Sequence, residues 1–319
     1  MKYLRLYSTD PYYNLAVEEY LLCHTQEDIF MLWQNDRTVV IGKNQNAYAE
    51  VDLAYAEKNG IRVARRLSGG GAVYHDMGNL NYTFITSRDR ARVLDYAYFT
   101  RPVIRALAAL GVTATLSGRN DIECAGKKIS GNAQYVWRDR ILHHGTLLFD
   151  TDTETLSRVL RADEEKLAAR AVRSHKGRVG NLAALLPKDL SSSAFVSHIE
   201  REVLSEMKAE PICVPTDETL DALRARYSSR EWIYSEKRFL TEYSVSHRKK
   251  YPFGIVSADL TLFGDRIKDI RISGDFFGIA PIAALEDAIK GKTLDEISHL
   301  DPSPYIAGMT GEALAALLQ

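Results

Sequence analysis

The sequence is poor in cysteine. Only three occur in 319 residues (Cys23, Cys124 and Cys213), and they contain no C-x-x-C pair. That excludes a zinc ribbon and a disulfide framework, and it fits reduced thiols in a cytoplasm. A basic excess is also missing: 41 Lys and Arg stand against 42 Asp and Glu, for a formal net charge of −1 and a pI of about 6.7. A general nucleic-acid or membrane-surface binder would carry a positive surplus. No apolar run approaches the roughly 20 residues of a membrane span. The opening Met1-Lys2-Tyr3-Leu4-Arg5-Leu6-Tyr7 lacks the apolar core of a signal peptide. The expected location is cytoplasmic, with no nucleic acid and no membrane as partner. Two nucleotide-loop signatures are missing too. No helix pattern follows the one glycine-rich loop, as a Rossmann fingerprint requires, and no Gly-Lys-Ser/Thr closes it, as a Walker A loop requires.

What is present is ordinary globular composition, 45% hydrophobic and 26% charged, enough for one large domain and a smaller one. Asp10-Pro11 reads as a helix N-cap with proline in the first turn. Ile29–Gln34 and Thr38–Gly42 flank Asn35-Asp36, a hairpin signal. A helix is expected over 51–59, closed by Gly60, and strands over 61–66, 72–75 and 80–86. Another helix lies within 95–110; because of Pro102 it either begins near Thr100 or kinks there. Segments 113–116, 128–137 and 141–150 read as strands, the last two as a hairpin. From 152 to 227 the pattern is helical. Strands dominate the first half and crossover helices are few, so the expected class is α+β, with a mixed, mainly antiparallel sheet and packed helices. The polar and basic run Ser244–Lys250 reads as a linker or hinge. It divides a first domain, 1–245, from a small α+β C-terminal domain, 246–319, with strands at 254–263 and 266–273 and helices beyond.

Three constellations carry chemistry. The first is Ala64-Arg65-Arg66-Leu67-Ser68-Gly69-Gly70-Gly71-Ala72-Val73-Tyr74-His75-Asp76. Glycine costs about 0.5–1 kcal/mol relative to alanine in regular structure, so three in a row imply a bend or a close backbone approach. Arginine beside peptide N–H groups suits an anion. On a strand, Arg65 and Arg66 point to opposite faces, so one faces the glycines and the other is a solvated charge. The second is Gly118-Arg119-Asn120-Asp121 with Lys127-Lys128-Ile129-Ser130-Gly131-Asn132-Ala133, where Gly126 suits a turn that brings Asp121 and Lys128 across from each other. One of the two lysines faces inward with Ser130 and needs an anionic partner, for which a bound carboxylate or phosphate would serve. The third is His143-His144-Gly145-Thr146-Leu147-Leu148. Adjacent histidines on a strand face opposite ways and no third ligand has usable spacing, so a hydrogen-bonding role is favoured over zinc. Cys124 reads as a small buried hydrophobe rather than a nucleophile. Arg173, His175, Lys176 and Arg178 form either a solvated basic run or a loop that closes over an anionic ligand.

In this order and spacing the three constellations resemble the lipoate–protein ligase A family of the biotin/lipoate ligase superfamily. Weaker similarity runs from Tyr12–Glu19 through Val39–Asn46 to Arg178–Leu182. Tyr74 stands where the family often has phenylalanine. The resemblance implies the fold shared by biotin ligases and class II aminoacyl-tRNA synthetases, with a C-terminal accessory domain. It implies ATP-dependent ligation of free lipoate to a lysine of lipoyl-domain proteins through lipoyl-AMP, with Mg2+ screening the phosphates. Lys128 maps onto the family's catalytic lysine. Arg66, Gly71, Ala72, Val73, Tyr74, Asn79, Asp121 and Lys128 map onto ATP contacts; Gly70, Gly71, Lys128 and His144 onto lipoate contacts; and Asp121 onto the carboxylate nearest the metal. Implied partners are apo lipoyl domains of 2-oxoacid dehydrogenase E2 subunits or the glycine-cleavage H protein, met by a monomer. Two alternatives stay open: an ATP-independent octanoyl or lipoyl transferase of the same fold with a cysteine nucleophile, and a non-catalytic paralogue that holds a lipoyl domain.

Overall fold

The computed structural model describes residues 1–89, 92–161, 179–205 and 207–319. The chain forms two compact units, each built from more than one segment. The first comprises Met1–Val40, Val51–Ala64 and Val73–Ser228; the second comprises Ile41–Glu50, Arg65–Ala72 and Ser229–Gln319. The basic cluster Arg173, His175, Lys176 and Arg178 lies outside the described residues.

The strands are β1 (Lys2–Arg5), β2 (Ile29–Trp33), β3 (Thr38–Ile41), β4 (Arg62–Arg65), β5 (Val73–His75), β6 (Asn79–Ser87), β7 (Thr115–Ser117), β8 (Asp121–Cys124), β9 (Lys127–Trp137), β10 (Arg140–Leu148), β11 (Glu210–Pro211), β12 (Val245–Tyr251), β13 (Gly254–Phe263) and β14 (Arg266–Gly274). Among the described residues, the first unit is organised on an eight-stranded sheet in the order β11-β1-β2-β6-β10-β9-β8-β7. Only the β11-β1 and β1-β2 pairs are parallel; β2 to β7 run antiparallel throughout. This is the α+β arrangement expected from the strand-rich first half.

Register explains the burial. Phe30 lies opposite Phe84, Leu32 opposite Tyr82 and Leu80 opposite Leu147. That face packs against Phe99, Val103 and Leu107 of the helix Tyr96–Ala108 and Phe195, Ile199 and Val203 of the helix Ser192–Ser205. The opposite face, with Met31, Trp33, Asn81, Thr83 and His144, meets the helix Pro11–His24. Asp10 caps that helix by accepting from the Tyr12 N–H, and Pro11 fills the first turn. With both faces covered, β2 and β6 are buried almost without interruption. The helix Tyr96–Ala108 starts at its Asp95 cap and runs through Pro102, so it does not begin near Thr100.

The hairpin expected around Asn35-Asp36 does not form. β2 sits inside the large sheet, whereas β3 lies between β4 and β5 in a second, three-stranded sheet. The reason is side-chain chemistry at the supposed turn. Asn35 is fully buried; its Oδ1 accepts from Asn14 Nδ2 at 2.9 Å, and its Nδ2 lies 3.1 Å from His75 Nδ1. A turn residue satisfied inside the protein redirects the chain rather than exposing it.

A second correction concerns 244–250. The expected linker is strand β12, the edge of an antiparallel sheet β12-β13-β14. Its Arg248, Lys249 and Lys250 are exposed, which is how edge strands resist pairing with foreign chains. Within this second unit, Val256, Ala258, Leu260, Ile270 and Ile272 pack against the helices Ile282–Ile289 and Gly311–Leu317.

Candidate active site

In the first unit, β8 and β9 are joined by Ala125 and Gly126, both at positive φ (50° and 72°), the geometry of a tight hairpin turn. The register then shifts between Ile122 and Glu123, so that Asp121 faces Gly131 while Glu123 faces Lys128. Lys128 therefore reaches back along the sheet, and its Nζ lies 2.7 Å from Asp121 Oδ1. The Asp121 side chain is buried and that of Lys128 is a quarter exposed (25%), so the ammonium is partly sheltered without being sealed in. Lys127, its neighbour, is exposed. Lys128 is thus the inward lysine of the pair, but not in company with Ser130 as alternation implied. The register shift sets it on the face of Asp121 and Gly131, while Ser130 pairs with Ile122 on the other face. Gly131 is what gives the amine room: a Cβ there would lie 3.0 Å from Nζ.

Further along the same sheet face is a buried polar row. His144 lies opposite Thr83 in the register. His144 Nδ1 lies 3.1 and 3.2 Å from the two Glu18 carboxylate oxygens, Thr83 Oγ1 donates to Glu18, and Trp33 Nε1 donates to Thr83 Oγ1 at 2.9 Å. The Thr146 hydroxyl accepts from the Gly131 N–H at 3.1 Å. Glu18 was missed by sequence reasoning. Its signal was a carboxylate on the apolar stripe of the helix Pro11–His24, among Leu15, Leu21 and Leu22. His143, on the other face, is fully buried, and burial holds its pKa well below the usual imidazole range, with the His144 charge adding to the effect. The hydrogen-bonding role expected of this pair is what both residues show. Asn79 is also buried, and its Nδ2 donates to Asn81 Oδ1 at 2.9 Å. Tyr74 is buried opposite Val39, and desolvation pushes its hydroxyl up to about 12.

The glycine loop belongs to the second unit up to Ala72; Val73 and Tyr74 fall in the first. Gly70 has φ of +88°, and a Cβ on Gly42 would lie 2.1 Å from the Gly70 carbonyl oxygen. The backbone does approach as closely as the triple glycine implied. The expectation that one arginine is a solvated charge is wrong, because both are buried. Arg66 folds over its own loop: Nε donates to Ser68 Oγ, and Nη2 donates to the carbonyls of Gly69 and Gly71 at 2.7 and 2.9 Å. Arg65 donates to the carbonyls of Gly42, Lys43, Gln45, Trp232 and Ile233. Burial, with the charges of Arg238 and Arg66, pulls its pKa down to about 9, which still leaves the guanidinium charged at neutral pH. A sequence cannot show that backbone carbonyls from two distant segments will converge on one side chain.

Among the described residues, no three His, Cys, Asp or Glu side chains form a metal cluster. A magnesium ion carried by phosphates needs only one or two protein carboxylates, and Asp121 fits that demand. Cys124 is packed in the core, as expected. Burial and the charge of Glu19 push the Cys23 thiol up to about 11, the opposite of what a thiolate nucleophile requires. Among the described residues no helix is long and apolar enough to cross a membrane.

Residues 10–204 match the family model of the lipoyl protein ligase A/B catalytic domain, and residues 241–318 match that of the bacterial lipoate protein ligase C-terminus. The chain is 38% identical to lipoate-protein ligase LplJ of Bacillus subtilis, across 97% of both chains. Two solved structures are similar at lower coverage. A bipartite lipoate protein ligase from Thermoplasma acidophilum, described with its E2 lipoyl domain, aligns with TM-score 0.65 and 30% identity over 76% of this chain and 98% of that one. A lipoate-protein ligase A bound with ATP aligns with TM-score 0.61 and 29% identity over 73% of this chain and 98% of that one.

Proposed function

The chain belongs to the lipoate–protein ligase family, and from that premise we propose that it activates free lipoate with ATP to lipoyl-AMP and then transfers the lipoyl group to a lysine of an apo lipoyl domain. The observation that carries this reading is the Lys128–Asp121 pair with Gly131 beside it. A carboxylate is a poor acyl donor. When the lipoate carboxylate attacks the α-phosphorus of ATP, negative charge builds on the phosphoryl oxygens and pyrophosphate leaves. A fixed ammonium aimed at that charge stabilises the transition state without reorganising at the moment of reaction. In the second step the same ammonium polarises the acyl carbonyl while the neutral lysine amine of the acceptor attacks it. The amide C–N bond forms, the mixed-anhydride C–O bond breaks, AMP leaves and the amine's proton is released.

We assign the nucleotide to Arg66, Gly71, Ala72, Val73, Tyr74, Asn79, Asp121 and Lys128, and lipoate to Gly70, Gly71, Lys128 and His144. Asp121 would hold Mg2+ brought by the nucleotide phosphates, and the ion would screen their charge. The solved relatives' ATP and E2 lipoyl domain support ATP as co-substrate and a lipoyl domain as acceptor. E2 subunits and the glycine-cleavage H protein are the acceptor classes to test. The cysteine-transferase alternative loses support from the core position of Cys124 and the raised pKa of Cys23.

The test is pyrophosphate release from ATP with and without lipoate. Release that requires lipoate, followed by lipoylation of an apo lipoyl domain, is the expected result. Acyl transfer without ATP, through a trapped protein thioester, would overturn it. A companion variant probes the amine's room. Gly131→Ala places a methyl against the flexible end of Lys128, so stability should hold while the ammonium is displaced. A shift on the order of 1 Å can cost about a hundredfold in rate, so single-turnover adenylation should slow by at least about tenfold at an unchanged unfolding midpoint.

A further inference from the structure

Beneath the Lys128–Asp121 pair, on the core face of the same strands, lies a chain of buried hydrogen bonds that the proposed chemistry does not use. The Leu94 N–H donates to Gln134 Oε1 at 2.7 Å, and Gln134 Nε2 lies 3.2 Å from His143 Nδ1. His143 Nε2 lies 3.2 Å from Asn132 Oδ1, which also accepts from the Tyr82 hydroxyl. Asn132 Nδ2 then donates to the Asn120 carbonyl at 3.0 Å. Two further bonds join the same residues: the Asn132 N–H to the Asn120 carbonyl at 2.9 Å, and Asn120 Nδ2 to the Asn132 carbonyl at 2.7 Å.

The donors and acceptors are consistent from end to end. Asn132 Oδ1 accepts from two donors, so His143 carries its proton on Nε2 and accepts at Nδ1. A neutral ring suits its burial, and Phe99 stacks on it at 4.8 Å between centroids, fixing its plane. Gly145 makes the arrangement sterically feasible: a Cβ there would lie 2.3 Å from Asn132 Oδ1 and 2.5 Å from the Tyr82 hydroxyl. The network ends on Asn120, the residue before Asp121.

We propose that Asn132 is a positioning residue for catalysis: held by Tyr82 and His143, it clamps Asn120 and so sets the Asp121 carboxylate against the Lys128 ammonium. Without the Asn132 side chain, Asn120 keeps its two bonds to the Asn132 backbone but loses the one from Nδ2, so Asp121 is held less firmly and Lys128 loses its fixed aim. The proposal rests on the lipoyl-AMP reading.

A double-mutant cycle tests it, read by lipoate-dependent pyrophosphate release and by KM for lipoate and ATP. Tyr82→Phe and Asn132→Ala should each lower kcat by about tenfold, with both KM values within about twofold, because positioning acts in the transition state. In an Asp121→Ala background the same changes should cost about nothing more, since residues acting through one another are not additive. Multiplying effects, or native kcat in Tyr82→Phe, would overturn the proposal. If Asn132→Ala does not fold, the Tyr82→Phe and Asp121→Ala cycle decides alone. A wild-type enzyme that releases no pyrophosphate sinks the lipoyl-AMP reading and this proposal with it. Wild-type turnover with additive variants sinks this proposal only.

Discussion

Replacing Lys128 with alanine is expected to slow lipoate-dependent pyrophosphate release by about a hundredfold to a thousandfold, the cost of removing one preorganised donor aimed at developing charge. The fold should survive. The backbone of Lys128 keeps its bond from the Gly180 N–H at 2.9 Å, and the side chain that is lost is partly exposed rather than packed in the core. What changes is electrostatic. Asp121 would keep a buried carboxylate without its ammonium partner, so the site would repel the anions it has to gather. Lys128→Arg is a poor substitute, because a planar guanidinium is longer and cannot place a point charge beside Gly131. Single-turnover quench with labelled ATP measures the step directly. Native-rate adenylation by Lys128→Ala would remove the basis of the mechanism.

The second large effect is on stability. Arg65→Met should destabilise the protein by at least about 3 kcal/mol, because hydrogen bonds to a charged donor contribute about 1.5–3 kcal/mol each and every orphaned buried acceptor adds its own desolvation cost. The carbonyls of Gly42, Lys43, Gln45, Trp232 and Ile233 all lose their shared donor in that variant. A solvated surface arginine would change stability by no more than about 0.5 kcal/mol on the same replacement. Chemical denaturation of the purified variant therefore separates the two readings of this residue. Arg65→Lys should recover little, since a compact ammonium with three donors cannot span acceptors spread around a planar fork.

Some local geometry of the candidate site was legible in advance because its signals are local. The turn at β8–β9 was announced by Gly126, but simple alternation put Lys128 on the face of Ser130, whereas the register shift sets it with Asp121 and Gly131 and leaves Ser130 opposite Ile122 on the other face. The triple glycine announced close backbone contact, and Gly70 and Gly42 supply it. Glu18, Thr83 and Trp33 were not found. They come from a helix and two strands with ordinary apolar patterns, and meet only because register places Thr83 beside His144 and packing lays Glu18 over both. Asn132 carries no local signal of its own, since its partners lie 12 and 50 residues away along the chain.

Amino-acid order alone determined the Asp10 cap, the β8–β9 turn and the strand-rich, α+β character of the chain, because each rests on signals a few positions long. Partnership was decided in three dimensions. Adjacent arginines became a strut for five carbonyls and a clasp over a loop, a supposed hairpin opened between two sheets, and a supposed linker became an edge strand. A hydrogen-bonding group or a charge settles wherever its desolvation is best repaid. That balance is struck among surfaces brought together by packing, which no stretch of sequence contains.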